Sequence, residues 1–200
     1  RTAEERSADI CVGATLFTMG LAKEVLVADT IASWANQAFW AVSVGSPISM
    51  AAAWIGALAY AFQLYFDFSG YSDMALGVAR LFGIRLPLNF NSPYKADSIT
   101  DFWRRWHMTL SRFLRDYVYI SLGGNRCGPF RRSFNLFLTM LLGGFWHGAG
   151  WTFLLWGALH GTYLMVNHYW AQLNERTRIP GAALFTGWGG RLVTFLAVLV

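Results

Sequence analysis

A chain of 200 residues that is 55% hydrophobic, 17% aromatic and only 14% charged does not describe a soluble domain, in which about a quarter of residues are charged. The net charge of +5 comes from sixteen basic residues, nearly all arginine, set beside apolar runs. That placement argues against a nucleic-acid partner and for positive loops flanking membrane spans, which face the cytoplasm. Cys11 and Cys127 supply neither a disulfide framework nor metal-ligand spacing.

Several apolar runs reach or approach the ~20 residues that cross a bilayer as helix. The composition therefore predicts an all-α, multi-span integral membrane protein. The chain has no initiator Met and stops within an apolar run. We read residues 1–200 as a single membrane domain and an interior piece of a longer chain.

Residues 1–9 are polar and lead into a helix. Residues 10–22 are apolar but short, and Lys23, Glu24 and Asp29 interrupt before 31–44. Such lengths predict tilted, re-entrant or interfacial helices rather than two clean spans. Pro47 marks a break. Residues 50–68 make a good span whose aromatic end contains Asp67. Gly70 can take a positive φ, and Ser72 can cap a new helix over 74–82 that stops at Gly83. The pattern thus predicts a broken helix with Asp67 and Asp73 near the break. Irregular backbone at membrane depth survives only against protein or a cavity. The plainer alternative leaves both acids at the membrane surface, as caps or as partners for Arg80 or Arg85.

Pro87 and Pro93 forbid helix through 84–94, which reads as an extended connector. Asp97 or Ser98 then caps a helix over 99–120, with Ser98 and Asp101 at capping-box spacing. Ile99, Phe102, Trp103, Trp106, Leu110 and Phe113 form its apolar stripe. Arg104, Arg105 and Arg112 lie opposite, and Asp101–Arg105 and Arg112–Asp116 are i,i+4 pairs. This is an amphipathic helix at the membrane boundary, or one with its charged side in a water-filled funnel. His107 falls at the edge of the stripe, where a side chain can face both a buried cavity and water. The plainer alternative is a histidine reaching out to headgroups. Residues 121–132 are a Gly-rich loop with three arginines, read as cytoplasmic. It lacks the Lys-Ser/Thr of a P-loop.

Residues 133–146 and 148–170 are apolar stretches around His147, as one bent helix or as two. An ionisable side chain inside hydrocarbon marks a functional site by default. Gly143, Gly144, Gly148 and Gly150 strip bulk from around the imidazole, and the Gly144–Gly148 spacing lets another helix backbone come close. The plainer alternative is a structural histidine bonded to a carbonyl. His160 would lie about 220° from His147 on a straight helix, so the two would not share a face. His168, near the end of the span, reads as interfacial. Residues 174–181 read as a polar loop, and a last span begins at Gly187.

Four motifs now stand in order: LYFDFSGYSDM at 64–74, FWRRWHMTLS at 102–111, YISLGGNR at 119–126 and GGFWHG at 143–148. Together they resemble the membrane-bound O-acyltransferase (MBOAT) family, in its bacterial alginate and polysaccharide O-acetyltransferase branch. Teichoic acid D-alanyl transferases share part of the pattern. The resemblance implies broken and amphipathic helices around a central tunnel. It places the essential histidine at His147 and a second motif position at His107. It implies a cytoplasmic acyl thioester such as acetyl-CoA as donor, with no bound cofactor or metal. The acceptor side would be a polysaccharide or a periplasmic acetyl-carrying protein, and the location the bacterial cytoplasmic (inner) membrane.

A low-dielectric site favours neutral imidazole, which can take a proton from a hydroxyl as it attacks a thioester. Arg104, Arg105 and Arg112 are candidates for steering a phosphate-bearing donor. Trp106, Trp146, Asp67 and Asp73 are candidates for shaping its site. Three rival readings stay open here. One is a transporter using a broken helix at Gly70 and the histidines as its path. Another is an intramembrane metalloenzyme, against which His107 and His147 lack H-x-x-x-H spacing. The third is a non-catalytic assembly subunit.

Overall fold

The computed structural model describes residues 2–177 and 187–199. Every regular element among them is helical. Two compact units divide the chain, Arg1–Asn89 and Phe90–Val198.

The first unit holds three helices, α1 (Ala3–Ala22), α2 (Asp29–Ser43) and α3 (Met50–Leu81). Thr2 opens α1 with a capping box: its hydroxyl accepts from Glu5 N–H while the Glu5 carboxylate accepts from Thr2 N–H. The expected interruption at Lys23, Glu24 and Asp29 does not occur. A wide π-helical turn, Lys23–Ala28, carries α1 straight into α2. The resulting Ala3–Ser43 rod runs for 41 residues and contains an 18-residue stretch with a mean hydropathy of 1.6. Among the described residues it is the one helix long and apolar enough to cross a membrane by this measure. Two of its charges are matched on α3. Lys23 donates to Asp73, and Asp9 forms an ion pair with Arg80 at 2.7 Å.

The break predicted at Gly70 is absent as well; α3 is continuous for 32 residues. The glycine serves packing rather than turning. A Cβ on Gly70 would stand 2.7 Å from the Gly20 carbonyl oxygen, and one on Gly20 would stand 2.5 Å from that of Gly70. Gly13 and Gly77 meet in the same way, so the rod and α3 run antiparallel with their backbones in contact. The other expected ends are observed. Ser49 caps α3 by accepting from Ala52 N–H. At its far end Ile84 N–H bonds the Ala79 carbonyl and Gly83 N–H that of Arg80, with Gly83 at φ +72°. That is the Schellman closure a glycine after a helix makes possible.

The second unit holds α4 (Ile99–Arg105), α5 (Met108–Phe113), α6 (Gly128–His147), α7 (Trp151–Thr177) and α8 (Gly187–Val198). Ser98 caps α4, accepting from Asp101 N–H at 3.1 Å. The single helix expected over 99–120 is broken instead. Trp106 is extended and His107 sits at φ 41°, ψ 55°, in the left-handed region. A π-helical turn, Leu114–Tyr119, follows α5. It shifts the helical phase, so the expected Arg112–Asp116 pair does not form; Asp116 binds Arg115 instead. The predicted Asp101–Arg105 pair is present at 2.8 Å.

Of the two forms left open around His147, the structure shows two helices. α6 ends at His147, and α7 returns antiparallel along it. The Gly144–Gly157 contact closes the pair: a Cβ on Gly157 would stand 2.6 Å from the Met140 carbonyl oxygen. Gly148 was expected to share that role but lies beyond the end of α6, against the Phe153 ring. Ala96, Ile99, Phe102, Met140 and Leu164 form the core of this unit. Thr100 donates to Asn167 at 2.7 Å and pins α4 to α7. The loop expected over 174–181 is helix as far as Thr177; its remainder lies outside the described residues.

Candidate active site

The break between α4 and α5 positions His107. Trp106 N–H still closes α4 on the Phe102 carbonyl, and Ser111 N–H opens α5 on the His107 carbonyl. Between them the chain must turn, and it turns at a histidine in a conformation that costs a non-glycine residue about 1–2 kcal/mol. Such strain persists only where surrounding contacts over-determine it. Here the Trp106 ring stacks on Phe102 at 5.6 Å and meets Phe90 edge-on at 5.1 Å. Asn91 N–H bonds the Arg105 carbonyl at 2.9 Å. Trp106 thus anchors the turn.

His107 is half-buried, and its Nδ1 lies 3.5 Å from the Thr109 hydroxyl. Burial, and secondarily the nearby His147, push its pKa from 6.5 down to about 4. His107 is therefore neutral near pH 7. Ring contacts pack the two histidine motifs together: Trp103 meets Trp156 edge-on at 5.7 Å, and Trp156 meets His147 edge-on at 5.4 Å.

His147 is the last residue of α6. Trp146 meets it edge-on at 5.0 Å, Trp156 edge-on at 5.4 Å, and Phe153 lies stacked at 6.4 Å. The expected enclosure is not formed by these residues: His147 and Trp146 are both exposed. A helix end offers protein on one side only, so α6 and α7 supply one aromatic wall. A cleft of about 210 Å³ lies at the opposite end of the α6–α7 pair, lined by Arg132, Ser133, His168 and Gln172 among others.

The other candidate residues divide. Arg104 and Arg112 are exposed, with Arg112 donating to the Met108 carbonyl, whereas Arg105 is held by Asp101. Asp67 and Asp73 belong to the first unit, where Asp67 is exposed and Asp73 binds Lys23. Arg80, a sequence-expected partner for these acids, binds Asp9. With α3 unbroken, the transporter reading loses one of its two features, the broken helix at Gly70.

Sequence reasoning missed His160. It is 2% exposed and packs against Trp156 at 4.8 Å and Trp103 at 5.2 Å. The straight-helix argument failed because the chain reverses at 148–150. Trp156 and His160, one helical turn apart on α7, are the signal that could have found it.

A helical protein with an apolar, membrane-length rod and two histidine motifs packed together through aromatic rings is the class these features define. The chain belongs to the membrane-bound O-acyltransferase (MBOAT) family, whose profile matches residues 6–196. It is 52% identical over 168 residues to the peptidoglycan O-acetyltransferase of Helicobacter pylori, covering 84% of this chain and 31% of that protein. It is 56% identical over 154 residues to the probable alginate O-acetylase AlgI of Azotobacter vinelandii, covering 77% and 30%. A teichoic acid D-alanyltransferase of Streptococcus thermophilus is 40% identical over 118 residues, covering 56% and 28%. The chain thus spans under a third of the length of these relatives.

Proposed function

We propose that this chain carries the catalytic centre of a multi-pass enzyme of the bacterial cytoplasmic membrane. The enzyme moves an acetyl group from a cytoplasmic thioester, acetyl-CoA or a similar donor, to hydroxyls of an exported polysaccharide such as alginate. Delivery is direct or through a periplasmic acetyl-carrying protein. The observation that carries this reading is the packing of the two histidine motifs against each other through Trp103, Trp156 and His147. Family membership and the relatives named for O-acetyl transfer support it.

In this reading neutral His147 takes the proton of the acceptor hydroxyl. The hydroxyl oxygen bonds to the thioester carbonyl carbon, the C–S bond breaks, and the leaving sulfur takes the proton back from the imidazolium. A positioned base contributes about 10²–10⁴-fold. The rest comes from orientation and from donors aimed at the developing oxyanion, a role open to His107 in its protonated-nitrogen tautomer. Arg104 and Arg112, both exposed, meet the donor phosphates in this reading.

The test is His147→Ala in the full-length protein, with membrane level checked and polymer acetylation read by mass spectrometry. We expect acetylation to fall by at least about 100-fold. Acetylation at the wild-type level removes His147 from the reaction.

A further inference from the structure

The cleft at the far end of the α6–α7 pair has no part in the acyl-transfer reading. Its volume of about 210 Å³ lies below the ~300–1,000 Å³ of pockets that take drug-sized ligands, so it suits one small polar group. Arg132 and Ser133 line it from the first turns of α6, and His168 and Gln172 from the last turns of α7. Arg132 is half-buried, yet no carboxylate among the described residues pairs with it. A guanidinium drawn out of water without a counter-charge attracts an anion. The Ser133 hydroxyl and the Gln172 amide likewise have no partner among the described residues. His168 Nδ1 donates to the Leu164 carbonyl at 2.8 Å, which leaves Nε2 of the neutral ring as an acceptor. Cys127 supplies no side-chain cap to α6, so the first N–H groups of the helix keep their positive potential beside Arg132.

The rim selects the source of the anion. Phe130, 86% exposed, and Tyr169, 69% exposed, both line the cleft. A soluble phosphate would leave these rings in water. A phospholipid covers them with its glycerol and first methylenes while its phosphate meets Arg132. Aromatic and basic side chains at the ends of apolar helices stand at headgroup level, and basic pockets between such helices hold anionic headgroups. Ser133, Gln172 and His168 can pair hydroxyls, which a choline headgroup lacks and a glycerol headgroup carries.

We propose that this cleft binds an anionic phospholipid with a hydroxylated headgroup, of which phosphatidylglycerol is the simplest. Its phosphate rests on Arg132, and its hydroxyls pair with Ser133, Gln172 and His168. The site goes beyond the acyl-transfer reading and stands or falls on lipid binding alone.

The test titrates full-length, detergent-purified protein at physiological salt with phosphatidylglycerol or phosphatidylcholine and counts bound lipid by native mass spectrometry. Wild type is expected to retain one phosphatidylglycerol and to bind phosphatidylcholine about 10-fold more weakly. Arg132→Gln should weaken phosphatidylglycerol binding about 10-fold, and Arg132→Lys should keep part of it. Gln172→Leu removes only a hydrogen-bonding group and should weaken binding in the same direction, so a folding defect in one variant does not decide the outcome. Arg131→Gln removes the same charge from an exposed neighbour outside the cleft lining, and being screened it should change binding less than about twofold. Equal losses in Arg131→Gln and Arg132→Gln, or equal retention of the two lipids, overturn the proposal. So does displacement of the lipid by inorganic phosphate or coenzyme A, which assigns the cleft to a soluble phosphate.

Discussion

His107 combines two unfavourable conditions, a left-handed backbone and partial burial beside a second imidazole. The second has a measurable consequence. The pKa is 6.5 for the free side chain and about 4 in the folded protein. Between these values the unfolded chain binds a proton that the folded chain refuses, so stability falls as pH drops through that window. Asparagine tolerates the left-handed region and does not titrate there. His107→Asn should therefore flatten the acid side of the stability profile. Thermal unfolding of detergent-purified protein at stepped pH reads this directly, and an unchanged slope would assign the acid loss to other groups. That His107 matters was legible from its motif and its place on the stripe. Its backbone was not, because periodicity records which side chains face the core and is silent on a turn anchored by Trp106 stacking on Phe102.

Among the helices, small residues decide where backbones meet. Gly144 and Gly157 hold α6 against α7, and Gly20 and Gly70 hold the long rod against α3. Gly157→Leu would drive a side chain into the Met140 carbonyl, which cannot give way without moving α6. Overpacking of this kind costs about 1–3 kcal/mol. The expected result is a lower Tm and faster proteolysis in detergent. Gly150→Ala is the matched control, since its new methyl would meet nothing closer than 3.6 Å and should leave Tm unchanged. Equal effects from both variants would show that the α6–α7 contact does not limit stability. Glycines were visible in the sequence, but their purpose was ambiguous. Gly70 could equally break a helix or admit a neighbour, and only the presence of Gly20 opposite it selects the second.

For the whole molecule, orientation in the membrane is the property with the sharpest test. The Arg-bearing loop before α6 is expected on the cytoplasmic side, and it carries the exposed free thiol of Cys127. Cys11 is also exposed, so the experiment uses Cys11→Ser. A membrane-impermeant maleimide should label this variant in inside-out vesicles and leave it unlabelled in intact spheroplasts. Labelling in intact spheroplasts would invert the topology, and with it the side from which the donor arrives. Large apolar side chains such as Leu26, Trp40 and Met50 stand exposed on the first unit. Outward-facing apolar groups of this kind suit lipid or further protein.

The sequence by itself determined what depends on local chemistry. Apolar run length and scarce charge dictated helices in a membrane. Gly83 and Ser98 marked helix ends, because caps and left-handed glycines act on their own neighbours. The four motifs carried the family and its two histidines. Tertiary structure alone decided what depends on distant partners. Lys23 stays within an unbroken rod because Asp73 lies across from it, and α3 passes through Gly70 because Gly20 needs the space. His160 joins His147 around Trp156 because the chain doubles back at 148–150. None of these can be read along one strand of text, since each is settled by the free energy of a contact between residues far apart in it.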